Sequence, residues 1–275
     1  ALIIISFLCL IPLVLIVSAS FTDNQTLLTQ GFDIVPQNFD TFAYEYVLTN
    51  PEQIVRAYGV TVFITTVGTI CGTFIMAMLA YPLSRMEFKL RSQLSLMVFL
   101  TLLFNGGLVP YYILMTQFLG LRDSLLALIL PGLVNPFFVL ILRTYFAGLP
   151  EDLFDAARVD GANEFQIFFG VAMPMAKPAL ATIALLVALG YWNEWVNVLY
   201  FIDDPNKVTL QFLLHRIQEQ IQFLNQNPEF ANMGIRLPEQ SVRMAVAVLA
   251  VGPAAIGFLF VQKYLVRGIT LGAFK

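Results

Sequence analysis

Six runs of apolar residues, each close to the roughly 20 residues that a helix needs to cross the hydrocarbon core of a bilayer, recur along this chain. They fall at about 1–19, 57–81, 94–116, 124–146, 178–202 and 241–262, and each is nearly free of charge inside. In hydrocarbon every backbone N–H and C=O must be satisfied inside the protein, so runs of this length are read as helices. A transmembrane barrel would instead show alternating strands of about ten residues, and the sequence has none. Composition agrees: 58% of residues are hydrophobic and 12% charged, about half the charge of an ordinary soluble domain. The expectation is an all-α polytopic membrane protein, one transmembrane domain over residues 1–275.

Basic residues near span ends favour the cytoplasmic side. Arg85, Lys89 and Arg91 follow the second run, Arg143 stands at the end of the fourth with Arg158 and Lys177 after it, and Lys263, Arg267 and Lys275 follow the sixth. Residues 20–55 carry Asp23, Asp33, Asp40, Glu45 and Glu52 without a basic residue. Both termini and the segment of about 150–178 are therefore expected in the cytoplasm, and residues 20–55 and 203–240 outside. The first run could also be a signal peptide, since Ser18 to Ser20 weakly resemble a cleavage region. The even span count favours a retained helix, with a basic lead-in missing before Ala1.

Enzyme classes fall away by elimination. The one histidine is His215, there is no CxxC pair, and none of the lysines follows a glycine, which removes histidine-based zinc sites and the phosphate-binding P-loop. ATP, if used, is hydrolysed by another chain. Cys9 and Cys71 lie inside runs and are expected as small packing residues rather than a disulfide. His215, beside Arg216, reads as a solvated helix residue.

Between the fourth and fifth runs lies DAARVDGANEFQIFFGVAMPMAKP, Asp155 to Pro178. Upstream, Pro150 suits a first helical position, Glu151 and Asp152 complement the positive helix end, Arg158 the negative end, and Gly161 permits the turn that ends it. A helix over about 151–159 is predicted. Asn163 with Gln166 three residues on predicts a capping box opening a second helix to about Gly170, and Pro174 and Pro178 then break and restart the chain. Leu153, Phe154 and Ala157 share a stripe, Ala156 and Ala157 leave room for a close backbone, and Phe165, Phe168 and Phe169 form an aromatic edge. A helix lying on lipid headgroups usually has a basic polar face; this one is acidic, which favours a protein partner.

Polar groups inside the runs mark candidates for a solute path, because an ionisable side chain in hydrocarbon is costly. Glu194 stands among Tyr191, Trp192, Asn193, Trp195 and Asn197. Aromatic faces suit sugar C–H surfaces, and amides and carboxylates suit hydroxyls; equally, tryptophan and tyrosine gather at membrane interfaces and Asn193 could cap or bridge helices. Asn105, Tyr111, Tyr112 and Asn135 are further candidates, Asn105 with Gly106 and Gly107 permitting a bend. Residues 210–224 predict an amphipathic helix with Leu210, Leu213, Leu214, Ile217 and Ile221 on one face, either a seat for an external protein or a lid on the chain itself.

The order of Asp155, Ala156 and Ala157, then Gly161, Val171, Met173 and Pro174, resembles the EAA loop of permease subunits of binding-protein-dependent ABC importers. Asp155 stands where that family usually has glutamate, which keeps the charge on a shorter side chain. NGGLVPYY at 105–112, LALILPG at 126–132, GYWNEW at 190–195 and residues 252–275 are similar to the second, six-span maltose-type permease of the carbohydrate branch, in the subgroup found beside lipoprotein binding components for oligosaccharides. The resemblance implies a type I ABC importer permease fold, in which the loop with Asp155, Ala156, Ala157, Asp160, Gly161, Phe165, Phe168 and Pro174 docks on a cytoplasmic ATPase. It implies a second, non-identical permease, two ATPases that hold ATP and Mg, and an extracytoplasmic binding protein or lipoprotein. This chain would bind no cofactor and no nucleic acid, would sit in a bacterial cell membrane, and would pass a sugar or oligosaccharide. Two other classes stay in view: a secondary transporter driven by an ion gradient, which would need no coupling loop and would show buried ionisable residues in two internal halves, whereas only Glu194 lies deep in a run, and a membrane-embedded enzyme, against which the missing His, Cys and carboxylate clusters argue.

Overall fold

The computed structural model describes the backbone of residues 2–226 and 238–272, and the side chains of residues 8–226, 238–255 and 257. Among the described residues the elements are helices joined by short turns, with a single isolated antiparallel bridge between Thr22 and Phe39. The chain divides into two compact units, residues 1–60 with 205–257 and residues 61–204 with 258–275.

In the first unit the Leu2–Ser20 helix ends in a polar corner. Asp23 caps the Asn24–Gln30 helix by accepting from the Thr26 N–H at 3.1 Å, and Asn24 in turn accepts from the Gln240 N–H at 3.0 Å, at the start of the Glu239–Gly272 helix. Phe21 stacks on Phe39 and Tyr44 at centroid distances of 5.6 and 4.8 Å. The expected amphipathic segment forms the Leu210–Gln226 helix, with Leu210, Leu213, Leu214 and Ile221 buried. Ile217 is half-buried and His215 faces Glu219 at 3.5 Å. Residues 227–237 of the same expected external segment lie outside the described residues.

The expected spans meet the helices unequally. Pro51–Ser84 takes in the whole of 57–81 and is the one helix among the described residues long and apolar enough alone to cross a membrane; counting each bent pair as one span gives up to four. Only 28% of its most apolar window is buried inside the chain, and Val62, Phe63 and Ile70 stand exposed. A surface this apolar is unstable against water and calls for lipid or another chain. The first and sixth runs lie on Leu2–Ser20 and Glu239–Gly272, while the side chains of Lys263, Arg267 and Lys275 lie outside the described ones.

Three expected spans are interrupted rather than continuous. Arg91–Leu103 and Leu108–Phe118 meet at 112°, where Gly107 takes φ +85° and the Asn105 side chain accepts from its N–H at 2.8 Å. Leu126–Gly132 and Pro136–Ala147 meet at 44°; Pro136 has no N–H for the preceding turn, and Asn135 caps the new helix by accepting from the Phe137 N–H at 3.0 Å. Lys177–Trp192 stops at Asn193, and Val196–Phe201 resumes three residues later. Asn193 and Glu194 divert their side chains to backbone groups there, which is the local competition that ends helices.

The core of the second unit gathers Met76, Ala80, Val139, Leu142, Phe146 and Ile183. Tyr191 closes it. Its hydroxyl donates to the Ile129 carbonyl at 2.6 Å, and its side chain lies where Gly68 and Gly132 have none: a Cβ would fall 2.3 Å from the ring at Gly68 and 2.7 Å from the hydroxyl oxygen at Gly132. Cys9 and Cys71 are not packing residues as expected; both are free and exposed, because they sit on helix faces turned away from their own unit's core.

Candidate functional site

The polar segment after the fourth run folds as its sequence predicts at its start and departs from the prediction further on. The Glu151–Val159 helix follows Pro150 and carries Glu151 and Asp152 in its first turn. It ends in a Schellman motif: Gly161, at φ +82°, donates to the Arg158 carbonyl and Ala162 to the Ala157 carbonyl, both at 3.0 Å. Asn163 and Gln166 form the reciprocal capping box, at 2.8 and 2.9 Å. The second helix does not stop near Gly170. It runs from Glu164 through a π-helical turn, Phe168–Ala172, to Met175. Pro174 explains the widening, since it cannot donate to the Gly170 carbonyl and its ring would strike it in an α-turn. The break falls at Ala176, and Lys177–Trp192 departs at 79°.

What holds this element in place is a set of residues whose roles the sequence did not disclose. Phe154 is fully buried, and burial of such a ring is worth about 1.5–3 kcal/mol. Arg85, itself only 5% exposed, stacks its guanidinium 3.9 Å from the Phe154 ring centre, donates to the Phe146 carbonyl at 2.6 Å and reaches Glu151 at 3.4 Å. The Tyr81 hydroxyl donates to Glu164 at 3.0 Å. Arg143 donates to the Leu83 carbonyl at 3.1 Å. Arg158 lies within 4 Å of four carboxylates, those of Asp155, Glu87, Glu164 and Glu151, at 3.0, 3.3, 3.6 and 3.8 Å. Partial burial draws its pKa down, but these neighbours more than offset that and raise it. The segments that follow the second and fourth runs are thus packed together.

On this base Asp155, Ala156 and Asp160 are exposed, and Phe165 is 69% exposed. Phe168 is not part of the expected aromatic edge: it is buried, 5.3 Å from the Tyr81 ring. Phe169 stays exposed, stacked on Phe74 at 6.1 Å. Between Phe165, Phe168, Tyr81 and Phe88 opens a cleft of about 450 Å³ rimmed by Glu87, Arg158 and Glu164. The result is a mixed apolar and acidic surface offered by a helix pair that is held to the core through Phe154, Glu151, Arg158, Glu164 and Phe168.

Of the residues singled out for a solute path, the structure joins three. Tyr111 donates its hydroxyl to the Asn197 side-chain oxygen at 2.9 Å, and Glu194 accepts from the Asn197 side-chain and backbone N–H groups at 2.9 and 2.8 Å. This network links the Leu108–Ile113 helix to the break after Trp192. Tyr112 stacks on Phe201 at 5.8 Å, and Asn105 lines a separate cleft of about 550 Å³ with Gly107 and Tyr111. Asn193 is exposed and donates to the Leu189 carbonyl at 2.8 Å; Trp192 is half-buried. Tyr191 belongs to the core and Asn135 to a helix cap. Sequence reasoning passed over Thr65, Thr69 and Thr73, one helical turn apart, whose buried hydroxyls have no partner among the described residues; their spacing of four was visible.

The chain matches the family described as binding-protein-dependent transport system inner membrane component over residues 1–271. It is 34% identical over 270 residues to the polygalacturonan/rhamnogalacturonan transport system permease protein YtcP of Bacillus subtilis (strain 168), covering 98% of this chain and 94% of that one. It is 30% identical over 277 residues to the trehalose/maltose transport system permease protein MalG of Thermococcus litoralis, covering 99% and 94%. A chain in the crystal structure of a bacterial ABC transporter involved in the import of the acidic polysaccharide alginate superposes with a TM-score of 0.79 at 32% identity, covering 96% of this chain and 93% of that one.

Proposed function

Because this chain belongs to the family of binding-protein-dependent transport system inner membrane components, we propose that it forms one half of a saccharide path across a bacterial cell membrane and is driven by ATPases bound at its Glu151–Met175 helix pair. Permeases of this family take their energy from ATPase subunits in other chains, so the chain itself is a transport subunit rather than an enzyme. The membership also sets aside the ion-gradient reading.

In this reading the chain crosses the membrane six times, with both termini and residues 150–178 in the cytoplasm, and a second, non-identical permease completes the path. Two ATPases hold ATP and Mg, and an extracytoplasmic binding protein or lipoprotein delivers the saccharide. The observation that carries the docking role is the clamp: a short acidic helix with Asp155 and Ala156 facing outward, fixed to the core through Phe154, Arg85 and Arg158. An element that must pass on a movement has to be rigid where it is pushed and joined to the helices that move. The saccharide is proposed from the relatives' names together with the polar network of Tyr111, Glu194 and Asn197. Trp192, Asn193, Asn105 and Tyr112 are secondary candidates, and Tyr191 supports the path from behind.

The test is uptake of a labelled oligosaccharide into vesicles holding this chain, its partner permease and both ATPases, with the binding protein supplied outside. Uptake should require ATP inside, stop when the ATPases are replaced by hydrolysis-deficient versions, and persist when proton and sodium gradients are collapsed. Uptake that follows the ionophores and ignores the ATPases would refute the reading.

A further inference from the structure

Three polar depressions open on the first unit, and their charges differ. One is lined by Glu219 and Glu239 along with His215 and Arg243, and another by Asp23, Asp40 and Glu239. The third, of about 330 Å³, lies between the Phe42–Val47 helix, the first turn of Pro51–Ser84 and the Leu210–Gln226 helix. Among the described residues Arg216 is its one charged lining group, with Tyr46, Asn50, Gln53 and Gln220 around it.

Arg216 differs from the other described arginines of its unit. Arg56 pairs with Glu52, and Arg243 with Glu239, whereas no carboxylate pairs with Arg216 among the described residues. The acids beside the lining residues Gln220, Gln53 and Tyr46 in sequence are engaged elsewhere: Glu219 faces His215, Glu52 is held by Arg56, and Glu45 accepts from the Thr41 hydroxyl. An exposed guanidinium forks onto carboxylates, primary amides donate to and accept from vicinal hydroxyls, and a half-buried tyrosine offers a ring face to sugar C–H groups. The volume falls in the lower part of the range in which small ligands are held, roughly 300–1,000 Å³.

We propose that this cleft binds a carboxylated saccharide, a uronic acid unit of an oligosaccharide, with Arg216 on its carboxylate and Asn50, Gln53 and Gln220 on its hydroxyls. The other two depressions carry carboxylates, whereas among the described lining groups of this one the single charge is positive. The proposal rests on the saccharide-import reading, and on residues 20–55 and 203–240 facing the outside.

The probe is trigalacturonate, titrated against the full-length chain in lipid nanodiscs with binding followed by saturation-transfer NMR. Saturable binding is expected, with Arg216→Gln about tenfold weaker, equivalent to about 1.4 kcal/mol. The fully methyl-esterified probe should bind wild type no better than the acid binds Arg216→Gln. Gly161→Val, far from the cleft in sequence and in the other unit, should bind the acid as wild type does, so that failure of coupling and failure of this site are read separately. Absence of trigalacturonate binding, equal binding of acid and ester, or indifference to Arg216→Gln would each overturn the proposal. So would an Arg216→Gln variant that loses capture of the purified binding protein while keeping trigalacturonate, which would make the surface a protein dock. ATP-driven uptake of a neutral oligosaccharide that ignores Arg216 would leave the import reading standing while showing that such cargo bypasses the cleft, as expected.

Discussion

Gly161→Val is expected to leave the protein in the membrane and to cut ATP-driven uptake at least tenfold, with ATPase activity no longer responding to the loaded binding protein. Gly161 holds φ +82° with open space where a side chain would go, so the obstacle is the backbone and not a clash. A left-handed conformation costs an ordinary residue about 1–2 kcal/mol, and a β-branched one more. The strain is relieved by turning φ negative, which breaks both Schellman bonds and re-aims the capping box at Asn163. The two helices of the pair then leave the relative orientation that the clamp enforces. Gly161→Asn, which tolerates this region better, should recover most of the uptake. Measuring uptake and binding-protein-stimulated ATPase on the same vesicles separates the outcomes; a valine variant as well coupled as wild type would remove the corner from the mechanism.

Arg85→Ala is expected to have the largest effect on stability. The guanidinium is buried among Phe154, Tyr81, Ser84 and the Phe146 carbonyl. A charged hydrogen bond contributes roughly 1.5–3 kcal/mol and a desolvated cation–π contact about 2 kcal/mol. The pair with Glu151 adds little, because that carboxylate is 55% exposed. A loss of about 3–5 kcal/mol follows. At roughly 2–4 °C per kcal/mol for a chain of this size, the Tm of the detergent-solubilised protein should fall by about 10 °C. Arg85→Lys keeps the charge but not the planar stack and fork, and should lie between. A Tm within a degree of wild type for the alanine variant would show that the clamp is not where the loop's rigidity resides.

Much of this was legible in the sequence because it is local. Pro150, the acids after it, Gly161 and the Asn163–Gln166 pair determine where the first helix begins and ends and where the second begins, through bonds that span at most six residues. Hydropathy marks where apolar helix must lie for the same reason. It does not by itself mark where a span bends: the bend at Asn105–Gly107 was legible from the asparagine and its two glycines, whereas the break at Asn193–Trp195 depends on side chains that cap one helix half and bond across to another, as Tyr111 does to Asn197. The clamp was hidden more deeply. Arg85 looks like any basic residue at a span end, and only the packing of Phe146 and Phe154 around it turns a topology marker into a buried structural group. Phe168 is buried for a similar reason, since helical spacing alone does not say which of Phe165, Phe168 and Phe169 faces Tyr81.

The central claim, that the Glu151–Met175 helix pair is where the ATPases act, is tested most directly by a photoreactive amino acid placed at Ala156, which is exposed on the first helix. In membranes that contain the assembled transporter, illumination should join this chain to an ATPase subunit, and the same probe at Gln220 should not. Cross-linking to the ATPase from Gln220 but not from Ala156 would contradict the account, and with it the sidedness on which it stands.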